Sequence, residues 1–121
     1  MFYLSVITYI SSAHRLKEYQ GVCQRIHGHN WKIKVQVKGN KLNDLGILID
    51  FKDLRKISEQ VSERIDHQFL NELERFKKIN PSAENMARFF YKEIKILLPS
   101  NVKMDKIIIW ETENYQLEYC E

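Results

Sequence analysis

The sequence predicts an α+β fold of order ββααββ, a four-stranded antiparallel sheet with two helices on one face. Three observations carry this expectation. Alternating apolar and polar residues mark strands near both ends of the chain, apolar residues at helical spacing mark two helices between them, and turn residues separate the elements. At 121 residues the chain is expected to form one domain over 1–121, able to bury about two-thirds of its unfolded surface.

The first strand is read over Tyr3 to Ile10. The second runs from His29 to Lys38, with Trp31, Ile33, Val35 and Val37 on its apolar face. Extending that parity backwards places His29 and then His27 on the same face, separated by Gly28. The two strands are expected to pair as a long hairpin joined through Arg15 to Ile26, which brings His14 beside His27 and His29. A turn-rich passage from Gly39 to Gly46 leads to a short apolar run ending at Ile49.

Asp50 is positioned to cap a helix whose apolar stripe is Phe51, Leu54, Ile57, Val61 and Ile65, ending near Asp66-His67. Asn80-Pro81 reads as the cap and first position of a second helix. Its stripe is Ala83, Met86, Ala87, Phe90, Ile94 and Leu97, and Pro99 stops it. Two final strands are expected around Lys106 to Glu111 and Tyr115 to Tyr119, joined by Glu113-Asn114. The sheet's other face and its edge strands then need cover, which points to an oligomer that closes several sheets into a barrel.

Composition narrows the function. The formal charge is +3, with basic residues scattered and no basic block, so nucleic acid is disfavoured as a partner. A small positive balance favours a small anionic substrate instead. No apolar run is long enough to cross a bilayer, and no basic leader precedes the first strand, so a cytoplasmic, reducing location is expected. Cys23 and Cys120 are too few for a disulfide framework, and Cys120 reads as incidental.

The candidate site takes three of the four histidines, His14, His27 and His29. Three neutral imidazoles suit Zn2+ and leave one coordination position for water or substrate, the pattern of catalytic rather than structural sites. Cys23 could instead close the site as a fourth ligand, and a metal-free histidine cluster is the third reading. Asp66 and His67 are adjacent, so their side chains meet only if the helix ends or bends there; the plainer reading makes them a capping group and a surface histidine. Glu111, at the end of a strand, reads by itself as a solvated carboxylate.

Six ordered motifs carry a resemblance: Ser12-Ala13-His14-Arg15-Leu16, Cys23 with His27-Gly28-His29-Asn30, Gly46 with Asp50-Phe51, Asp66-His67 with Leu70-Asn71, Asn80-Pro81-Ser82 with Glu84-Asn85, and Glu111-Thr112. Together they resemble the 6-pyruvoyltetrahydropterin synthase superfamily, and within it most of all the bacterial 6-carboxytetrahydropterin synthases. Ser82 stands where many relatives have threonine, and its hydroxyl is kept.

The resemblance implies the tunnelling fold, in which three subunits close a barrel, two trimers stack into a hexamer and active sites lie between subunits. It implies Zn2+ on His14, His27 and His29, with the side chain of a dihydropterin triphosphate on the open position. Cys23 matches the base, His67 a proton donor or relay with Asp66 as its partner, and Glu111 the catalytic carboxylate that anchors the pterin ring and couples to the proton relay. Arg15, Lys17 and Arg25 flank the metal motif as candidates for the triphosphate.

The implied reaction is that of a lyase on a path to queuosine and other deazapurines. It converts 7,8-dihydroneopterin triphosphate to 6-carboxy-5,6,7,8-tetrahydropterin, with release of acetaldehyde and triphosphate. The short spacing from Cys23 to His27 favours this branch over pyruvoyl-forming relatives. A pterin-binding module without turnover is the rival reading, and Cys23 separates the two because a binder needs no base.

Overall fold

A computed structural model describes all residues from Met1 to Glu121. The main elements are β1 (Phe2–His14), β2 (His27–Gly39), α1 (Phe51–Ser62), α2 (Ala83–Lys95), β3 (Lys103–Thr112) and β4 (Tyr115–Tyr119), with 3₁₀ turns at Val22–Gln24, Leu70–Glu72 and Glu74–Phe76. The sheet is antiparallel in the order β1-β2-β3-β4. The ββααββ order expected from the sequence is therefore the observed one.

Alternation explains the strands. In β2, Trp31, Ile33, Val35 and Val37 are buried while the residues between them are not. The same parity on β3 buries Ile107 and Ile109, and the opposing layer comes from Leu54 and Val61 of α1 and Met86, Phe90 and Ile94 of α2. Burying each of these large side chains contributes about 1.5–3 kcal/mol relative to leaving it in water. At the far end of the β1–β2 hairpin, a Cβ on Gly39 would lie 2.9 Å from the Asn101 carbonyl oxygen, so only glycine lets these backbones approach. No helix is long and apolar enough to cross a membrane.

Several boundaries differ from the sequence expectation. β1 does not stop at Ile10 but continues to His14, because Ser11 to His14 find ladder partners in Asn30 to His27. α1 ends at Ser62, so Ile65 reaches the core from the turn that follows, and Phe51 at the first helical position is 58% exposed. The cap of α2 is Ser82, whose hydroxyl accepts the Asn85 N–H, and Pro81 precedes the helix. Asn80 is unavailable as a cap because its amide binds the Lys17 backbone. α2 ends at Lys95, ahead of Leu97 and Pro99, and β3 begins at Lys103 rather than Lys106.

Candidate metal centre and its surroundings

Register places the histidines. His14 pairs directly with His27 across the hairpin, and Ser12 pairs with His29, so all three imidazoles project from one face at one end of the β1–β2 ladder. Trp31, the next inward residue of β2 and fully buried, packs edge-on against both His14 and His29, with ring centroids 5.2 Å and 5.0 Å away. One ligand atom from each histidine lies within 4.8 Å of those of the other two. Cys23 is not among the residues whose donor atoms converge.

The hydrogen bonds of the rings fix which nitrogens converge. His14 Nδ1 lies 2.7 Å from the Pro81 carbonyl oxygen, and His27 Nδ1 lies 2.7 Å from that of Arg25. A carbonyl can only accept, so each Nδ1 carries the proton and donates, leaving Nε2 with a free lone pair. His14 Nε2 and His29 Nε2 are buried without a hydrogen-bond partner, the latter 3.3 Å from Glu111 Oε1. Burial pushes the pKa of His14 and of His29 below the ordinary imidazole value, opposed by the Pro81 carbonyl in the first case and by Glu111 in the second.

A buried nitrogen left with a free lone pair, as His14 Nε2 is, is costly unless something accepts that lone pair. The donor set, the carbonyl-anchored outer nitrogens and the lowered pKa values all fit a divalent metal ion.

Asp66 and His67 sit where α1 has already ended. His67 adopts a left-handed backbone, φ 55°, and its N–H donates to the Ser11 carbonyl at 2.6 Å. This geometry lets the adjacent side chains meet, with His67 Nδ1 2.9 Å from Asp66 Oδ1. Asp66 Oδ1 also accepts the Ser11 N–H at 2.8 Å, a bond that leads the causes holding its carboxyl below the usual carboxylate range. His67 is 81% exposed, as a surface histidine would be, yet it is oriented by a carboxylate.

Glu111 is half-buried near the end of β3 rather than fully solvated. Two cavities flank the Gly28-His29-Asn30 segment. One, of about 450 Å³, includes His67 in its lining; the other, of about 640 Å³, includes Glu111. Cys23 is half-buried in the 3₁₀ turn between the hairpin strands, and Cys120 is exposed; both are free thiols.

Sequence reasoning did not find the Pro81 and Arg25 carbonyls that orient the histidines, because a backbone acceptor carries no residue signature. It also left Asn71 without a role and gave Asn80 that of a helix cap, although both bind the backbone beyond β1.

A two-layer α+β fold with three converging imidazoles able to hold a metal ion beside a carboxylate defines a class of protein with a histidine-built metal centre, and comparison with known proteins names the family. Residues 3–121 match the family described as 6-pyruvoyl tetrahydropterin synthase. The chain is 33% identical over 102 residues to the 6-carboxy-5,6,7,8-tetrahydropterin synthase of Bacillus subtilis, covering 80% of this chain and 68% of that protein. It is 30% identical over 95 residues to the dihydroneopterin monophosphate aldolase of Pyrococcus furiosus, covering 78% of each. The solved structure of Caenorhabditis elegans 6-pyruvoyl tetrahydropterin synthase superposes with a TM-score of 0.87 at 26% identity, covering 99% of this chain and 95% of that one. This chain belongs to the 6-pyruvoyl tetrahydropterin synthase family and is an enzyme of that family.

Proposed function

We propose that this protein is a zinc-dependent carbon–carbon lyase. It converts 7,8-dihydroneopterin triphosphate to 6-carboxy-5,6,7,8-tetrahydropterin, with release of acetaldehyde and triphosphate, in queuosine and deazapurine biosynthesis. The observation that carries the reading is the convergence of His14, His27 and His29, with two of the rings held from behind by carbonyl oxygens and Glu111 alongside. The Bacillus subtilis relative, a 6-carboxy-5,6,7,8-tetrahydropterin synthase, supports the choice of product.

The three histidines would hold Zn2+, which when bound polarises substrate oxygens and acidifies the neighbouring C–H and O–H bonds. Glu111, as a carboxylate, accepts paired hydrogen bonds from the ring N–H and exocyclic amine of the pterin and fixes its orientation. Cys23, as thiolate, takes a proton from the substrate side chain. Asp66 accepts from His67 Nδ1, which leaves the far nitrogen of that ring to give or receive a proton.

His67 and Glu111 open into different cavities of the one chain, which favours sites completed by a neighbouring subunit. The active form in this reading is a hexamer of two stacked trimeric barrels. A reducing, cytoplasmic setting suits the free Cys23 thiol.

Metal analysis and product identification on purified protein test the proposal. Stoichiometric zinc, 6-carboxytetrahydropterin and acetaldehyde are expected. 6-Pyruvoyltetrahydropterin as the sole product would overturn the branch while keeping the family, and tight pterin binding without turnover would make the protein a binding module.

A further inference from the structure

The chain between β1 and β2 carries Cys23, and the fold holds its first residues in an unusual way. Asn71 Oδ1 accepts the Arg15 N–H at 2.9 Å, and its Nδ2 donates to the Arg15 carbonyl at 2.9 Å. Asn80 repeats the arrangement two residues on, accepting the Lys17 N–H at 2.8 Å and donating to the Lys17 carbonyl at 3.1 Å. Between them the Leu16 N–H points the other way and donates to the Cys23 carbonyl at 2.9 Å. Two side-chain amides therefore act as a substitute neighbouring strand for residues 15–17, which lie beyond the sheet ladder.

Both amides are tied to other parts of the site. Asn71 lies in the 3₁₀ turn just after Asp66-His67, a stretch stitched to β1 by Ala13 N–H donating to the Gln68 carbonyl at 3.0 Å. Asn80 directly precedes Pro81, whose carbonyl orients His14, and its own carbonyl accepts from Asn85 Nδ2 at 2.8 Å. One short segment, 80–81, thus fixes a metal-facing ring and the loop bearing the thiol at once. The far end of that loop is fixed by the Arg25 carbonyl on His27.

We infer that Asn71 and Asn80 are positioning residues that hold the Cys23 loop in register with the histidine centre. The inference rests on the proposed role of Cys23 as base and deepens it. A side chain that supplies one donor and one acceptor to a single residue's backbone matches asparagine alone among residues of this size. Aspartate has the shape but would set an oxygen against the Lys17 or Arg15 carbonyl.

The test uses metal-loaded protein with Cys120→Ser as background, comparing Asn80→Ala and Asn80→Asp with the parent; Asn71→Ala is a second variant at the more buried site. Expected results are amide exchange about tenfold faster over residues 15–26 with other segments unchanged, and faster alkylation of Cys23 by iodoacetamide. Metal content and thermal midpoint should hold, and turnover should fall about 10- to 100-fold. Asn80→Asp should behave like Asn80→Ala; recovery of parental exchange and turnover by aspartate would mean that only volume matters and would overturn the inference. So would unchanged exchange over 15–26, or a loss of protection spread through the whole chain. The underlying reading fails separately: full turnover in Cys23→Ala would remove the thiol's role, while the exchange result would still report on the two amides.

Discussion

His67→Gly separates strain from chemistry. A residue with a Cβ held in the left-handed region costs about 1–2 kcal/mol relative to its ordinary conformations, and His67 at φ 55° is in that region. Glycine removes this cost. Against the gain stand the lost contact with Asp66, worth about 0–1 kcal/mol for so exposed a pair, and the greater freedom of glycine in the unfolded chain, about 0.5–1 kcal/mol. The terms nearly cancel, so His67→Gly should unfold within about 1 kcal/mol of the parent.

His67→Ala keeps the strained backbone, loses the contact and should be no more stable than the glycine variant. Turnover of 7,8-dihydroneopterin triphosphate should fall by about 10²- to 10⁴-fold in both, because neither can relay a proton. Urea unfolding gives the stability and product formation at saturating substrate gives the rate. A glycine variant destabilised by more than about 3 kcal/mol would show that the imidazole is a structural strut. Turnover close to the parent's would show that it carries no proton.

Cys23→Ala should retain metal, measured by elemental analysis, while losing about 10²-fold or more in turnover; loss of the metal would mean that the thiol completes the coordination shell. The Asp66 carboxyl titrates lower folded than unfolded, so its contribution to stability is full above the ordinary carboxylate pKa and is lost as pH falls through the lower folded value. The gap in thermal midpoint between the parent and Asp66→Asn should therefore shrink as pH falls through and below the ordinary carboxylate range, and a gap independent of pH would contradict the assigned hydrogen bonds. Gly39→Ala puts a methyl 2.5 Å from Leu48 Cδ1 and 2.9 Å from the Asn101 carbonyl oxygen, so it should destabilise by about 1–3 kcal/mol in denaturant melts; wild-type stability would mean that this end of the hairpin yields freely.

Wherever physics is periodic, the chain was readable. Trp31, Ile33, Val35 and Val37 declare a strand by parity, and the same parity carried two and then four residues back puts His29 and His27 on the inward face where they stand. Asp50 declares a helix start, and its side chain does accept the Lys52 N–H at 2.8 Å. Boundaries were less readable because they depend on distant partners. β1 reaches His14 since β2 supplies a ladder to pair with, and Ser82 rather than Asn80 caps α2 because Lys17, 63 positions earlier in sequence, has claimed the asparagine. The acceptors behind His14 and His27 are main-chain oxygens, and no residue code announces them. Asp66 and His67 could be suspected as a pair, but their contact depends on a backbone turn that local propensity does not specify.

The direct pairing of His14 with His27 has a consequence for how this protein tolerates change. Alternation in a strand is strict, so a slip of one residue in the hairpin would turn His14 outward in the same stroke that expelled Ile10 from the interior. Loss of the histidine centre and loss of the core would then be a single event. Insertions and deletions inside either strand would accordingly strike the histidine centre and the core together.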